Sequence, residues 1–193
     1  MKELKVYIGS YTEYPIPNFG GIGHGIYSVN LQVETGKLII SQTMMSRNPS
    51  YLAIREGSDF LYAVSELDQT NNPKVKGYKI NKDSSLTFLN EQLIPGGYPC
   101  HIISSHDSVM VACYATGNIF QYPIKANGEL QSISNEYHHT GSSINQERQE
   151  APHVHQIVVH PNRKDIYVCD LGIDTIKAYQ LKGENLVPNE PRN

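Results

Sequence analysis

Reactive side chains are concentrated in one short run of this chain, INQERQEAPHVHQ, residues 144–156. Within nine positions it contains Glu147, Arg148, Glu150, His153 and His155. A histidine can act as a general base near neutral pH because its unperturbed pKa is about 6.5. An arginine can bind a phosphate or a developing oxyanion, and a glutamate can orient a histidine or act as the base itself. This combination can perform general acid–base chemistry beside a bound anion or a developing oxyanion.

Each residue type has a role in such a reaction. We predict His153 and His155 as candidate bases, Arg148 as a clamp or electrophile, and Glu147 or Glu150 as the group that orients a histidine or acts as the base. The structural alternative is a solvated Glu/Arg-rich connection followed by a hydrogen-bonded histidine at the start of a strand.

A strand pattern recurs four times along the chain. The copies are VYIGSY, LYAVSE, VMVACY and IYVCDL, separated by 55, 48 and 57 residues. A second alternating series follows each copy (IYSVNL, VKGYKI, IFQYPI and IKAYQL), and a third precedes three of them (PSYLAI, PCHIIS and HVHQIVV). Polar turns then lead to a further strand that begins at a leucine. One unit therefore comprises four strands over about 50 residues, which is the size of a propeller blade.

We accordingly predict an all-β fold, a β-propeller of four-stranded antiparallel blades. A β-sandwich is the alternative, because its strands also recur at short intervals. A sandwich, however, does not predict four copies with matched strand character.

The predicted blades divide a single domain, residues 1–193, into residues 1–47 (a partial blade), 48–97, 98–143 and 144–193. The first unit begins at its second strand, and no segment remains to complete it. An open ring exposes sheet faces and strand edges. We therefore expect this chain to be the N-terminal part of a longer propeller, with about four blades of an expected seven. Self-association through the open edge is the alternative.

The first strand of each unit is expected to line the central channel. His153 and His155 are two positions apart and would share a face of an extended strand. His101 in the third unit holds the same place as Tyr51 in the second, and we assign both as substrate-binding. Glu147 is assigned as substrate-binding as well. For His101, a hydrogen bond between blades is the alternative.

Three further polar residues receive structural predictions. Asn48, before Pro49, is expected to form a turn. His138 and His139 are placed on an outer strand or loop, and no role is assigned to them.

Composition excludes several classes of function. A net charge of −3 and a pI near 6.2 argue against a surface for nucleic acid or anionic membranes. No apolar run approaches the roughly 18 residues of a membrane span. The three cysteines, Cys100, Cys113 and Cys169, fit small buried residues in a reducing compartment. We expect a soluble, cytoplasmic protein whose partner is a small molecule, with no nucleic acid and no membrane.

No cofactor is predicted. His153, Val154 and His155 with nearby glutamates resemble part of a zinc or iron site, but no third histidine or cysteine follows at a usual spacing. A metal ion held by residues from distant blades stays open as an alternative.

Several stretches resemble the lactonase family of seven-bladed β-propellers, which includes the propeller-type 6-phosphogluconolactonases and the fungal carboxymuconate-lactonizing enzyme. They are YIGSYT, NPSYLAI, FLYAVSE, YPCHIIS, NQERQEAPHVHQIVVHP and IYVCDLGIDTIKAY, and the resemblance extends from about Val6 to Leu181. The run ERQE-x-PH-x-H is the most specific of them.

The resemblance implies roles for the run that it shares. His155 matches the position usually proposed as catalytic, and Arg148, Glu150 and His153 lie in the loop before it. Further acid and arginine participants of family members lie in later blades and have no counterpart here.

The implied activity is hydrolysis of a sugar lactone, with 6-phosphogluconolactone as the expected substrate. Two other functions stay open. One is a non-catalytic propeller that binds a ligand or a protein partner. The other is a lactonizing isomerase that uses the same residues in the reverse direction.

Overall fold

The computed structural model describes residues 2–105, 107–162, 164–183 and 185–189. In these ranges the chain forms fifteen β-strands and one short 3-10 helix, Gln69–Asn71. The predicted all-β class is confirmed. Within the same ranges, no helix has the length and apolar character needed to cross a lipid bilayer.

The strands form four antiparallel sheets, each with its strands in chain order, which we call blades 1 to 4. Blade 1 has three strands, β1 (Glu3–Gly9), β2 (Gly25–Gln32) and β3 (Lys37–Met45). Blade 2 contains β4 (Leu52–Ile54), β5 (Phe60–Val64), β6 (Lys74–Ile80) and β7 (Leu86–Leu93). Blade 3 contains β8 (Pro99–Ser105), β9 (Ser108–Cys113), β10 (Asn118–Pro123) and β11 (Asn135–His138). Blade 4 contains β12 (Val154–Val159), β13 (Asp165–Asp170), β14 (Thr175–Lys182) and β15 (Asn185–Pro188).

Consecutive blades pack face to face, and the residues of β9 show how. Val109 and Val111 point into a core shared with blade 2, which contains Tyr62. Met110 and Ala112 point the opposite way, into a core shared with blade 4. Because both faces of β9 are covered, all six of its residues are buried. Its sequence is consequently an almost continuous apolar run and does not alternate with polar residues.

The outer faces of blades 1 and 4 are not covered by another sheet within the described residues. On blade 1, the cross-strand pairing places Leu4, Ile8, Leu38 and Ile40 on one face, with exposed fractions of 46%, 39%, 54% and 60%. On blade 4, Ile176 is 65% exposed. Apolar surface of this extent on a sheet face is typical of an interface.

We expect the isolated 193-residue chain to self-associate through these two faces. Burial of their apolar side chains would favour association. Sedimentation velocity over a range of concentrations should show mass increasing with concentration, and Ile40→Lys should shift the distribution towards monomer. Ile144→Lys, which changes an exposed loop residue away from both faces, is the matched control. A monomer at every concentration, or an equal effect of both substitutions, would contradict this expectation.

Candidate active site

Blade topology brings distant segments together at one end of the channel. In an antiparallel blade, the residues before the first strand and those after the second strand lie at the same end. The run 144–153 precedes β12, the first strand of blade 4. The second strands of blades 2, 3 and 4, which are β5, β9 and β13, end at this same end of the channel. The reactive run is placed at this end by the pairing of β12 with β13, which joins Val154 to Asp170.

A cavity of about 700 Å³ opens at this end. It is lined by Ile16, Phe19, Glu66, Tyr98, Cys100, Tyr114, Ala115, Arg148, Glu150, His153, His155 and Leu171. The four residues that the family resemblance marks for catalysis, Arg148, Glu150, His153 and His155, are all in this set. Its volume lies within the usual range of small-molecule sites.

Tyr114, at the end of β9, contacts three of these four residues. Its ring stacks on that of His153, with centroids 4.4 Å apart and planes at 12°, and meets the edge of His155 at 6.0 Å. Its hydroxyl accepts a hydrogen bond from Nη2 of Arg148 at 3.5 Å. This hydrogen bond raises the pKa of Arg148, so the guanidinium is charged at every physiological pH.

Both ring nitrogens of His153 face oxygen acceptors. Nδ1 lies 2.9 Å from the backbone carbonyl oxygen of Tyr114, which can only accept, so Nδ1 carries the hydrogen. Nε2 lies 3.2 Å from Oε1 of Glu150. The pKa of Glu150 is lowered, first by a hydrogen bond from its own backbone N–H and then by His153. Glu150 is therefore ionised at neutral pH, and it is better suited to orienting His153 than to removing a proton.

His155 has a different environment. Its side chain is exposed, and no hydrogen bond to its ring nitrogens is present among the described residues. A β-bulge between Val154 and Gln156 interrupts the pairing with β13 at this position. His155 is consequently the histidine of the run whose ring nitrogens have no hydrogen-bond partner among the described residues.

The buried carboxylate of Asp170 holds the run in place. Oδ1 accepts hydrogen bonds from the backbone N–H groups of His153 at 2.7 Å and Gly172 at 3.0 Å. A Cβ atom at Gly172 would lie 1.7 Å from the carbonyl oxygen of Ala151, so only glycine permits this approach. The start of β12 and the turn after β13 are thus fixed together.

No role was assigned to His139 from the sequence, but the structure shows a structural one. His139 follows the outer strand β11, as predicted, but its side chain is fully buried. Nδ1 donates to Oδ2 of Asp170 at 2.6 Å, and Nε2 accepts from the hydroxyl of Tyr179 at 2.8 Å. His139 therefore joins blade 3 to the carboxylate that holds the reactive run.

Three predicted substrate-binding residues lie outside the cavity lining. Glu147 is exposed, and its side chain is not among the lining residues. Tyr51 and His101 occupy matching positions in neighbouring blades, as expected, and their rings lie 4.3 Å apart. Burial, and then the nearby ring of His155, lower the pKa of His101 to about 4. A role in substrate binding stays a prediction for all three.

Glu66 and Tyr114 are among the lining residues that were not anticipated. A signal for them was available, because they are the sixth residues of the repeated segments LYAVSE and VMVACY. Leu171, the sixth residue of IYVCDL, lines the same cavity, and Tyr11, the sixth residue of VYIGSY, hydrogen-bonds to Glu66. The repeat therefore marks a ring of positions around the cavity.

In the part of the chain that the structure describes, no group of three or more His, Cys, Asp and Glu side chains is arranged to hold a metal ion. The absence of a cofactor stays a prediction.

A family model for "Lactonase, 7-bladed beta-propeller" matches residues 5–192. The chain belongs to this family. The predicted β-propeller is confirmed by this match together with the four sheets.

Lactonase-family relatives agree in sequence and in structure. A 6-phosphogluconolactonase of Bacillus subtilis is 36% identical over 182 residues, which are 91% of this chain and 49% of the relative. A crystal structure described as a putative 6-phosphogluconolactonase of Bacteroides fragilis superposes with a TM-score of 0.84 at 30% identity, covering 93% of this chain and 49% of that one. The periplasmic gluconolactonase of Pseudomonas aeruginosa, at 22% identity and a TM-score of 0.84, shares the fold. The chain spans about half the length of the relatives it matches.

Replacing Asp170 tests whether this carboxylate holds the run. Burial raises the pKa of Asp170, but hydrogen bonds from the side chain of His139 and the backbone of His153 outweigh burial, and the net pKa is below 3.8. The ionised group therefore contributes stability above about pH 4, which is lost as pH falls through the lower folded-state pKa.

Asp170→Asn should cost about 2–4 kcal/mol of unfolding free energy at pH 7. It should also flatten the loss of stability below pH 4, as measured by urea unfolding. Asp174→Asn, an exposed change in the next turn, is the control, and an equal cost for both variants would contradict the assignment.

His101 should make the fold sensitive to mild acid. Its pKa is about 4 in the folded chain and 6.5 as a free side chain, so the unfolded chain binds a proton first as pH falls. This histidine therefore lowers the unfolding free energy progressively between pH 6.5 and pH 4. His101→Gln should reduce the difference in unfolding free energy between pH 7 and pH 4.5, whereas Tyr51→Phe, which keeps the neighbouring ring, should not. An unchanged difference in His101→Gln would show that His101 is protonated freely in the folded chain.

Proposed function

We propose that this chain supplies the first part of the active site of a sugar-lactone hydrolase, with 6-phosphogluconolactone as the expected substrate. The observation that carries the proposal is the convergence of His155, Arg148, Glu150 and His153 on one cavity in a chain of the lactonase family. The name of the Bacillus subtilis relative supports the choice of substrate.

In this proposal, the unbonded ring of His155 is the general base. It removes a proton from water as the water oxygen adds to the lactone carbonyl carbon. The ring C–O bond of the tetrahedral intermediate then breaks, and His155 returns the proton to the departing alkoxide oxygen. The product is the ring-opened hydroxy acid.

Arg148 supplies positive charge and hydrogen-bond donors to the cavity. The guanidinium of Arg148 suits the carbonyl oxyanion or the phosphate of a sugar phosphate, because it offers donors in a fixed plane. Glu150 orients the ring of His153. Together with Tyr114, these contacts fix the donors before substrate binds, which reduces the reorganisation needed in the transition state.

The proposal is tested by lactone hydrolysis at neutral pH, measured against a buffer blank because these lactones hydrolyse spontaneously. The 193-residue chain is compared with a seven-bladed version that carries the corresponding second half of the Bacillus subtilis relative. We expect the extended version to be active and the isolated chain to show no rate above the blank. His155→Ala in the extended version should lower the rate by about 10²–10⁴-fold. His160→Ala, which changes an exposed histidine at the other end of β12, should retain activity.

The other two functions give different results in this assay. A non-catalytic binding propeller would hydrolyse no lactone in either version, and the hydrolase proposal would then be abandoned. A lactonizing isomerase would act on an unsaturated dicarboxylic acid in the same substrate panel and leave the sugar lactones unchanged.

A further inference from the structure

Glu66 is a second carboxylate in the cavity, and the proposed water attack does not use it. It follows β5 in blade 2, whereas Arg148, Glu150, His153 and His155 come from the run before β12 and its start. Its residue surface is 7% exposed, and it is part of the cavity lining. A carboxylate that is buried to this extent requires hydrogen-bond partners.

One partner is present and fixes the orientation of the side chain. The hydroxyl of Tyr11 donates to Oε2 of Glu66 at 2.7 Å. Burial, and then the hydrogen bond to Glu66, raise the pKa of Tyr11, so the phenol keeps its proton and remains a donor. Within the described ranges, no cation lies within 4.0 Å of the Glu66 carboxylate, and no donor binds Oε1.

Asn48 fixes the backbone around this pair. Its carbonyl oxygen accepts from the N–H of Glu66 at 2.9 Å, and its side-chain Nδ2 donates to the carbonyl oxygen of Glu66 at 3.2 Å. Its Oδ1 accepts from the N–H of Thr12 at 2.8 Å, directly after Tyr11. Asn48 has φ of 40°, as the predicted turn requires, and is fully buried. The side chain of Asn48 therefore joins the backbone directly after Tyr11 to the backbone of Glu66.

The walls beside the pair are apolar. Phe19 meets the ring of Tyr11 edge to face, with centroids 5.2 Å apart, and Ile16 lies beside it in the lining. A ligand that fits this side of the cavity has hydroxyl donors along one edge and C–H groups on its face. A saturated polyhydroxylated ring has both features, whereas a lactone that carries a carboxylate at this edge would be repelled by Glu66.

Building on the proposed function, we propose that Glu66 determines specificity by accepting hydrogen bonds from the hydroxyl groups of a polyhydroxylated lactone ring. Tyr11 is the positioning residue that directs the carboxylate. In this arrangement, the ring hydroxyls of the substrate bind at the blade 2 side of the cavity, and the reacting carbonyl lies at the side of His155.

The first test compares two lactones in the form of the protein that hydrolyses lactones. Glucono-δ-lactone carries ring hydroxyls, and δ-valerolactone has the same six-membered ester without them. Glu66→Gln should raise KM for glucono-δ-lactone about 10–100-fold, because a charge-assisted hydrogen bond is lost, and leave kcat unchanged. Its kcat/KM for δ-valerolactone should stay within about twofold of wild type. Tyr11→Phe should act in the same direction by about 3–10-fold, and Tyr14→Phe, an exposed tyrosine of the same loop, should have no effect.

The second test needs no turnover. 1,5-Anhydroglucitol, a hydroxylated ring without a carbonyl group, is titrated into the full 193-residue chain and followed by NMR. Glu66→Gln should weaken its binding at least about tenfold. Tyr11→Phe repeats the test with the carboxylate in place, should Glu66→Gln fail to fold by circular dichroism.

The outcomes separate this inference from the hydrolase proposal. Equal losses on both lactones, or polyol binding that is absent from wild type or unchanged in the variants, would overturn the role of Glu66. Binding that depends on Glu66 in a protein that hydrolyses neither lactone would support the inference and overturn the hydrolase proposal.

Discussion

The arrangement of the cavity depends on the buried carboxylate of Asp170. It binds the backbone N–H of His153, which begins the inner strand of blade 4, and the side chain of His139, which ends blade 3. With these contacts in place, the ring of His153 is set against Tyr114 and the next histidine is directed into the cavity. Donors from two blades stabilise the carboxylate. Its buried negative charge is therefore fully hydrogen-bonded only when both blades are packed. Packing of blades and placement of the reactive run are therefore coupled.

Because one blade is repeated, equivalent positions of successive blades meet at the cavity. The residues at these positions differ in chemistry. The last residue of each repeated segment points towards the same end of the channel, and it is a tyrosine, a glutamate, a tyrosine and a leucine in blades 1 to 4. A propeller keeps the backbone of each blade nearly constant while these terminal positions vary. In this chain, the blade 4 side of the cavity carries Arg148, His153 and His155, and the blade 2 side carries Glu66. The two sides suit different parts of one ligand.

Much of this was predictable from the sequence, for identifiable reasons. The recurrence of matched apolar segments, together with the alternation in the series that follows each of them, predicted the strands and the blades. The residue types and spacing of the run from Glu147 to His155 predicted candidate site residues, four of which line the cavity. The roles of His139 and Asp170 were not predictable, since a buried hydrogen bond between residues 31 positions apart leaves no local pattern. Glu66 and Tyr114 had a signal in the repeat register, but only the folded chain shows that these positions converge. Glu147, by contrast, lies outside the cavity lining, and its role in substrate binding stays a prediction.

Two neighbouring histidines differ in the freedom of their rings: His153 is fixed by Tyr114 and Glu150, whereas the ring nitrogens of His155 have no hydrogen-bond partner among the described residues. Long-range ¹H–¹⁵N NMR correlation of the histidine rings, assigned with His153→Gln and His155→Gln, measures this difference directly. We predict a hydrogen held on Nδ1 of His153 and exchange between both tautomers for His155. A freely exchanging ring at His153, or a single fixed tautomer at His155, would contradict it.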